Sequence, residues 1–185
     1  QAPDFALAHY YLGVANLRNH DVQSAQVALT RATKAAPDMV EPYSALVELY
    51  LQARDFPQAH SAAQQLLRLQ PQNADTDLFL GRIYLAQQNL SQALTAFKKA
   101  VEQAPQYMPG YYHLGLTYKQ QSHPVEALKA FEKAFSLAPE FTDSLIQITT
   151  IYISQKQPSK ALEIVQHQIQ ITPKQAGLYE LSGNL

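Results

Sequence analysis

Side chains that could do chemistry are few in this sequence and poorly spaced for it. The six histidines, His9, His20, His60, His113, His123 and His167, include no pair at metal-ligand spacing, and no His-Glu-x-x-His motif is present. No glycine-rich phosphate loop occurs, and no serine sits in the strand-turn-helix setting that a nucleophile needs. With no cysteine, thiolate zinc sites, disulfides and cysteine nucleophiles are excluded, and either redox compartment, periplasmic or cytoplasmic, is permitted. Asp75 and Asp77 fall at the start of an expected helix, where negative charge favours the N-terminal dipole, so they read as helix-stabilising. Asn89-Leu90-Ser91 has the form of a glycosylation acceptor but lies in a turn ahead of a helix, where a cap is the natural role. The expectation is a chain that is not an enzyme and that holds no cofactor and no metal.

Composition narrows the partners. Across 185 residues, 14 Lys and Arg stand against 15 Asp and Glu, a net charge of −1 with no basic surplus for nucleic acid. Apolar residues make up 46% and charged residues 16%, which is enough to bury a core and too much for a disordered tail. No apolar run reaches the length of about 18 residues that spans a bilayer, and Gln1 to Asp4 carry no signal-peptide pattern. A soluble segment without direct membrane insertion is expected, cut from a longer chain because no initiator methionine opens it.

The elements that must position any site are announced by proline. Of eleven prolines, Pro3, Pro37, Pro71, Pro105, Pro139 and Pro173 recur every 34 residues without insertion or deletion. The others cluster near two further points of the register without holding it strictly, Pro42 and Pro109 at positions 3 and 2 just after a repeat begins and Pro57, Pro124 and Pro158 at positions 18, 17 and 17 in its middle, both regions suited to helix starts. Five units follow, 6–39, 40–73, 74–107, 108–141 and 142–175, with 1–5 and 176–185 as parts of flanking repeats, and Pro3 closing the unit before the first.

Within this register, position 7 is Leu12, Leu46, Leu80, Leu114 and Ile148; position 8 is Gly13, Val47, Gly81, Gly115 and Thr149. Position 11 is Asn16, Tyr50, Tyr84, Tyr118 and Tyr152, and position 20 is always alanine. Positions 4, 7, 8 and 11 share one face of a first helix; positions 20, 24 and 27 share one face of a second. Each unit therefore reads as a helical hairpin. Glycine at position 8 and alanine at position 20 remove side chains where the two helices approach. Asp21, Asp55 and Asn89 are placed to cap second helices. The first helix of the fifth unit is rich in β-branched residues, Ile146, Ile148, Thr149, Thr150, Ile151 and Ile153, yet the register predicts helix over strand.

The third and fourth units carry Leu80, Gly81, Tyr84, Ala93, Phe97, Ala100, Pro105 and Tyr111, Leu114, Gly115, Tyr118, Ala127, Phe131, Ala134, Pro139. This pattern resembles the tetratricopeptide repeat, and the resemblance covers nearly the whole chain. It implies an all-α, right-handed α-solenoid of stacked antiparallel helix-turn-helix repeats, with first helices lining a concave groove. Residues expected to bind a partner there are Tyr10, Tyr11, Val14, Glu48, Leu78, Phe79, Arg82, Tyr112, His113, Leu116 and Lys119. Three cations (Arg18, Arg82, Lys119) and four anions (Glu41, Glu48, Asp75, Asp143) fall on this face around an apolar stripe. Some family members grip a chaperone's C-terminal carboxylate with Lys and Asn at positions 5 and 9. The pairs here are Tyr10/Val14, Ser44/Glu48, Leu78/Arg82, Tyr112/Leu116 and Ile146/Thr150, which lack that clamp.

The function expected is a protein-interaction scaffold that binds a peptide or helical segment in its groove through apolar anchors, with Arg82 or Lys119 orienting it. Compact, glutamine-rich repeats without insertions resemble long bacterial arrays, including those of envelope assembly and exopolysaccharide export. Two alternatives are the recognition or regulatory arm of a larger enzyme, such as a glycosyltransferase, and a homo-oligomer assembled through the open ends of the array.

Overall fold

The computed structural model describes residues 3–173 and 176–183. Among these the chain forms eleven α-helices and no strand: α1 Pro3–Arg18, α2 Val22–Ala35, α3 Val40–Gln52, α4 Phe56–Leu69, α5 Ala74–Ala86, α6 Leu90–Gln103, α7 Met108–Gln120, α8 Pro124–Leu137, α9 Thr142–Ser154, α10 Pro158–Ile171 and α11 Ala176–Gly183. They divide into two compact units, Gln1–Ala96 and Phe97–Leu185.

Local chemistry sets the helix ends. The Asp21 carboxylate accepts the Ser24 backbone N–H at 3.0 Å, and that bond lowers its pKa below the ordinary value. Asp55 accepts from Gln58 at 3.2 Å and Asn89 from Gln92 at 3.3 Å, so these three cap α2, α4 and α6. Proline occupies one of the first two positions of α4, α7, α8 and α10, where no intrahelical N–H is required.

The first helices α1, α3, α5, α7 and α9 all stop in the same way. His20, Arg54, Gln88, Ser122 and Lys156, each 34 residues from the next, have φ between 56° and 62°. Around the first of them, the Asp21 N–H donates to the Asn16 carbonyl at 2.9 Å and the His20 N–H to that of Leu17 at 3.0 Å, the paired bonds of a Schellman turn. The four later turns repeat both bonds. Glycine is the natural occupant of this left-handed position, and none of the five is glycine. Replacing Arg54 or Lys156 with glycine should therefore stabilise the chain by roughly 0.5–1 kcal/mol each, the relief of left-handed strain outweighing glycine's entropic cost. A urea-unfolding midpoint that stays level or falls would contradict this account of the turn.

In the first unit, Ala25, Leu29, Val47, Ala59, Ala63, Leu66 and Ile83 form the core. A Cβ on Gly13 would lie 2.6 Å from Leu29 Cγ, so α1 and α2 touch only because that side chain is absent. Successive hairpins meet through position 11: the Gln26 amide donates to the Tyr50 hydroxyl at 3.3 Å, and the Tyr84 ring packs 5.0 Å from His60. Leu12 departs from its expected buried role. It is 50% exposed against 6% for Leu46, because no described element precedes α1 to cover that side. Pro3, expected to close a preceding unit, instead opens α1, which runs 16 residues against 13 for α3. Proline is favourable at a first helical position, so the helix extends back to it.

In the second unit, Phe131 is fully buried among Ala127, Ile148 and Ile151, and a further cluster joins Leu145, Val165 and Leu178. Helix α9 forms despite its β-branched residues, as tertiary packing overrides propensity. Its buried Thr149 hydroxyl donates to the Ile146 carbonyl at 2.9 Å, and the buried Gln168 amide donates to Thr172 Oγ1 at 3.2 Å. These polar residues sit where neighbouring repeats have small ones, and local bonds offset their burial. Residues 1–2, 174–175 and 184–185 of the expected flanking and fifth units lie outside the described residues.

Candidate protein-binding site

The 34-residue register puts equivalent positions of consecutive first helices side by side, and in the first unit they enclose a recess. Tyr10 of α1, Ser44, Ala45 and Glu48 of α3 and Phe79 of α5 line an open hollow of about 590 Å³. Tyr10 and Phe79 also rest on the core cluster with their inner edges, so both rings are held in place and half-exposed. Tyr11 is 62% exposed, with its ring 5.4 Å from that of Tyr10, and Val14 is half-buried one turn further on.

Leu78 is corrected from groove lining to core. At 8% exposure it points between helices, and its neighbour Phe79 takes the surface position. Arg82, expected to orient a bound segment, is held in an ion pair. Its guanidinium donates to both carboxylate oxygens of Glu48, the Nη2 bond measuring 2.8 Å. Arg82 and Glu48 hold the same position in consecutive repeats, which is why the side chains reach each other. Because the pair is partly exposed, it adds about 0–1 kcal/mol to stability. The guanidinium carbon also lies 6.0 Å from the centre of the Phe79 ring.

In the second unit the expected residues are more engaged by the fold. Tyr112 packs edge-on to Phe131 at 5.7 Å and to Phe141 at 5.1 Å. Burial, and secondarily the Asp143 carboxylate, raise its phenol pKa above the ordinary value. His113 is half-buried with its ring stacked 5.3 Å from Phe97. Leu116 rests on the Phe131 cluster. Lys119 is exposed, and its ammonium donates to the Gln147 side-chain carbonyl at 2.7 Å.

Sequence reasoning confined to first helices missed Asp38, Met39 and Gln70, which complete the rim of the first-unit recess from the inter-repeat turn and the end of α4. The signal was present in the register. The turn closing one repeat leads straight into the next first helix, so its side chains edge that helix's exposed face. Among the described residues no group of three His, Asp or Glu side chains is arranged to hold a metal, and no helix is long and apolar enough to cross a membrane.

Comparison with known proteins agrees with this architecture. Tetratricopeptide-repeat family models match residues 44–107 and 109–141, together just over half the chain. A thermophilic TPR protein of Thermus thermophilus superposes with a TM-score of 0.75 at 20% identity, covering 97% of each chain. MamA from Desulfovibrio magneticus gives 0.74 at 20% identity over 93% of this chain and 97% of its own. YrrB, a TPR protein with an unusual peptide-binding site, gives 0.63 at 19% identity over 97% and 92%. No curated protein matches in sequence. An all-α chain with a 34-residue period, a repeated Schellman turn and two family matches belongs to the tetratricopeptide-repeat family, whose members are typically non-catalytic scaffolds for protein interaction.

Proposed function

We propose that the chain recruits a partner protein by binding a peptide or helical segment against its first-helix faces, without catalysing a reaction. The observation that carries this reading is the 590 Å³ recess in the first unit, to which three consecutive first helices contribute Tyr10, Glu48 and Phe79. Half-exposed aromatic rings fixed by a core beneath them make good anchoring surfaces, since little side-chain entropy remains to be lost on binding. The fold shared with YrrB, a TPR protein with an unusual peptide-binding site, favours a peptide as the ligand class. The same face would serve a free scaffold, an envelope or exopolysaccharide-export assembly, or the recognition arm of a larger enzyme. Self-assembly is the second reading, and the exposed Leu12 and Val27 beside a hollow of about 450 Å³ on the first hairpin favour it.

Tyr112 makes a poor probe because its ring is part of the packing around Phe131. The informative variants are Phe79→Ala, which removes an aromatic wall, and Ser44→Arg, which fills the recess. Each should weaken binding of peptides selected from a displayed random library by about tenfold or more while the thermal melt stays cooperative. Peptides that bind both variants as tightly as the wild type would refute the first-unit face as the docking site.

A further inference from the structure

The charges around the first-unit recess do not balance. Asp38, Glu41 and Glu48 line it together with Tyr10 and Phe79, and no lysine or arginine lines it. Glu48 is neutralised by Arg82. Asp38 and Glu41 are exposed, and among the described residues neither is held in an ion pair. A purely apolar anchor seated between the rings would desolvate these carboxylates without giving them a counter-charge. A cationic side chain satisfies both features of the hollow, since its methylenes can lie along aromatic faces while its charged end reaches the rim. Phe79 already accepts a cation near its ring in Arg82.

Resting on the docking-face reading above, we infer that this recess takes a lysine or arginine side chain from an extended basic peptide segment, seated between Tyr10 and Phe79 with its charge directed to Asp38 and Glu41. An acidic segment, including one that ends in a free carboxylate, meets like charge here and is rejected. Glu41 also lies in the first turn of α3, where it favours the helix dipole. That role accounts neither for Asp38, which precedes the helix, nor for the aromatic walls.

The test is selection from a random displayed library of peptides about a dozen residues long, run in parallel on the wild type, on Ser44→Arg and on Asp38→Asn/Glu41→Gln. Both carboxylates are exposed, so the neutralised variant should fold, and its circular-dichroism melt checks this; the single variants serve if the double one is unstable. Wild-type selection should enrich lysine and arginine flanked by apolar residues. A selected basic peptide should bind the neutralised variant about tenfold more weakly, with a shallower dependence on salt. Peptides that Ser44→Arg loses, but that show no basic enrichment or bind the neutralised variant equally well, overturn the inference and leave the docking face standing. Selected peptides that Ser44→Arg retains overturn both.

Discussion

Gly115→Leu should cost the second unit about 3 kcal/mol or more and remove its cooperative melt near the wild-type temperature. A Cβ at this position would lie 2.6 Å from two ring carbons of Phe131 and 2.8 Å from a third, far inside contact distance. The clash falls on an aromatic ring that is fully buried and bounded by Ala127, Ile148 and Ile151, so the ring has no open space to enter. Overpacking a tight interior typically costs roughly 1–3 kcal/mol, and a rigid ring against a four-carbon side chain belongs at the upper end or beyond. In a repeat protein each hairpin draws part of its stability from the interface with its neighbour, so disrupting α7–α8 also weakens the hairpin that packs on it within the second unit. Urea unfolding followed by circular dichroism reads the effect; a wild-type midpoint would mean that α7 and α8 do not approach this closely.

Phe131→Ala is the second large effect, expected at about 3–5 kcal/mol from lost transfer energy and the cavity left behind. The two positions are coupled. In the Phe131→Ala background the space that Gly115→Leu invades has been vacated, so the leucine should be tolerated and should recover on the order of 1 kcal/mol of the stability lost. Additive losses in the double variant would contradict direct contact between the sites. Phe131→Ala should also loosen Tyr112, whose ring packs edge-on to Phe131, which ties the core of the second unit to its outward face.

The hairpin architecture was legible because its causes are local and repeated five times. Helix starts follow from proline, aspartate and asparagine acting on the nearest free N–H groups, and the stripe of small and large residues follows from helical period. Even α9, with its strand-like composition, was readable through register alone. The recurrent left-handed residue was not. His20, Arg54, Gln88, Ser122 and Lys156 share a conformation and no chemistry, so nothing in their types announces it. The position is imposed by the geometry that returns the chain antiparallel after each first helix.

The candidate site was legible as a face and not as a set of side chains. Leu78 and Phe79 are adjacent apolar residues on one helix, and composition cannot tell which is turned to the core. The pairing of Arg82 with Glu48 was not legible, because the two are 34 residues apart in sequence and adjacent only across neighbouring helices. Asp38 lies in the turn ahead of α3, outside the first helices from which the face was read, and that turn rims the recess.

By itself the sequence determined the period, the helices, their caps and the family, all of which depend on interactions spanning a few residues and copied along the chain. Only the tertiary structure decided which residues face outward, which charges cancel and where a hollow opens. Those depend on the distance and angle between one helix and the next, which no single repeat contains.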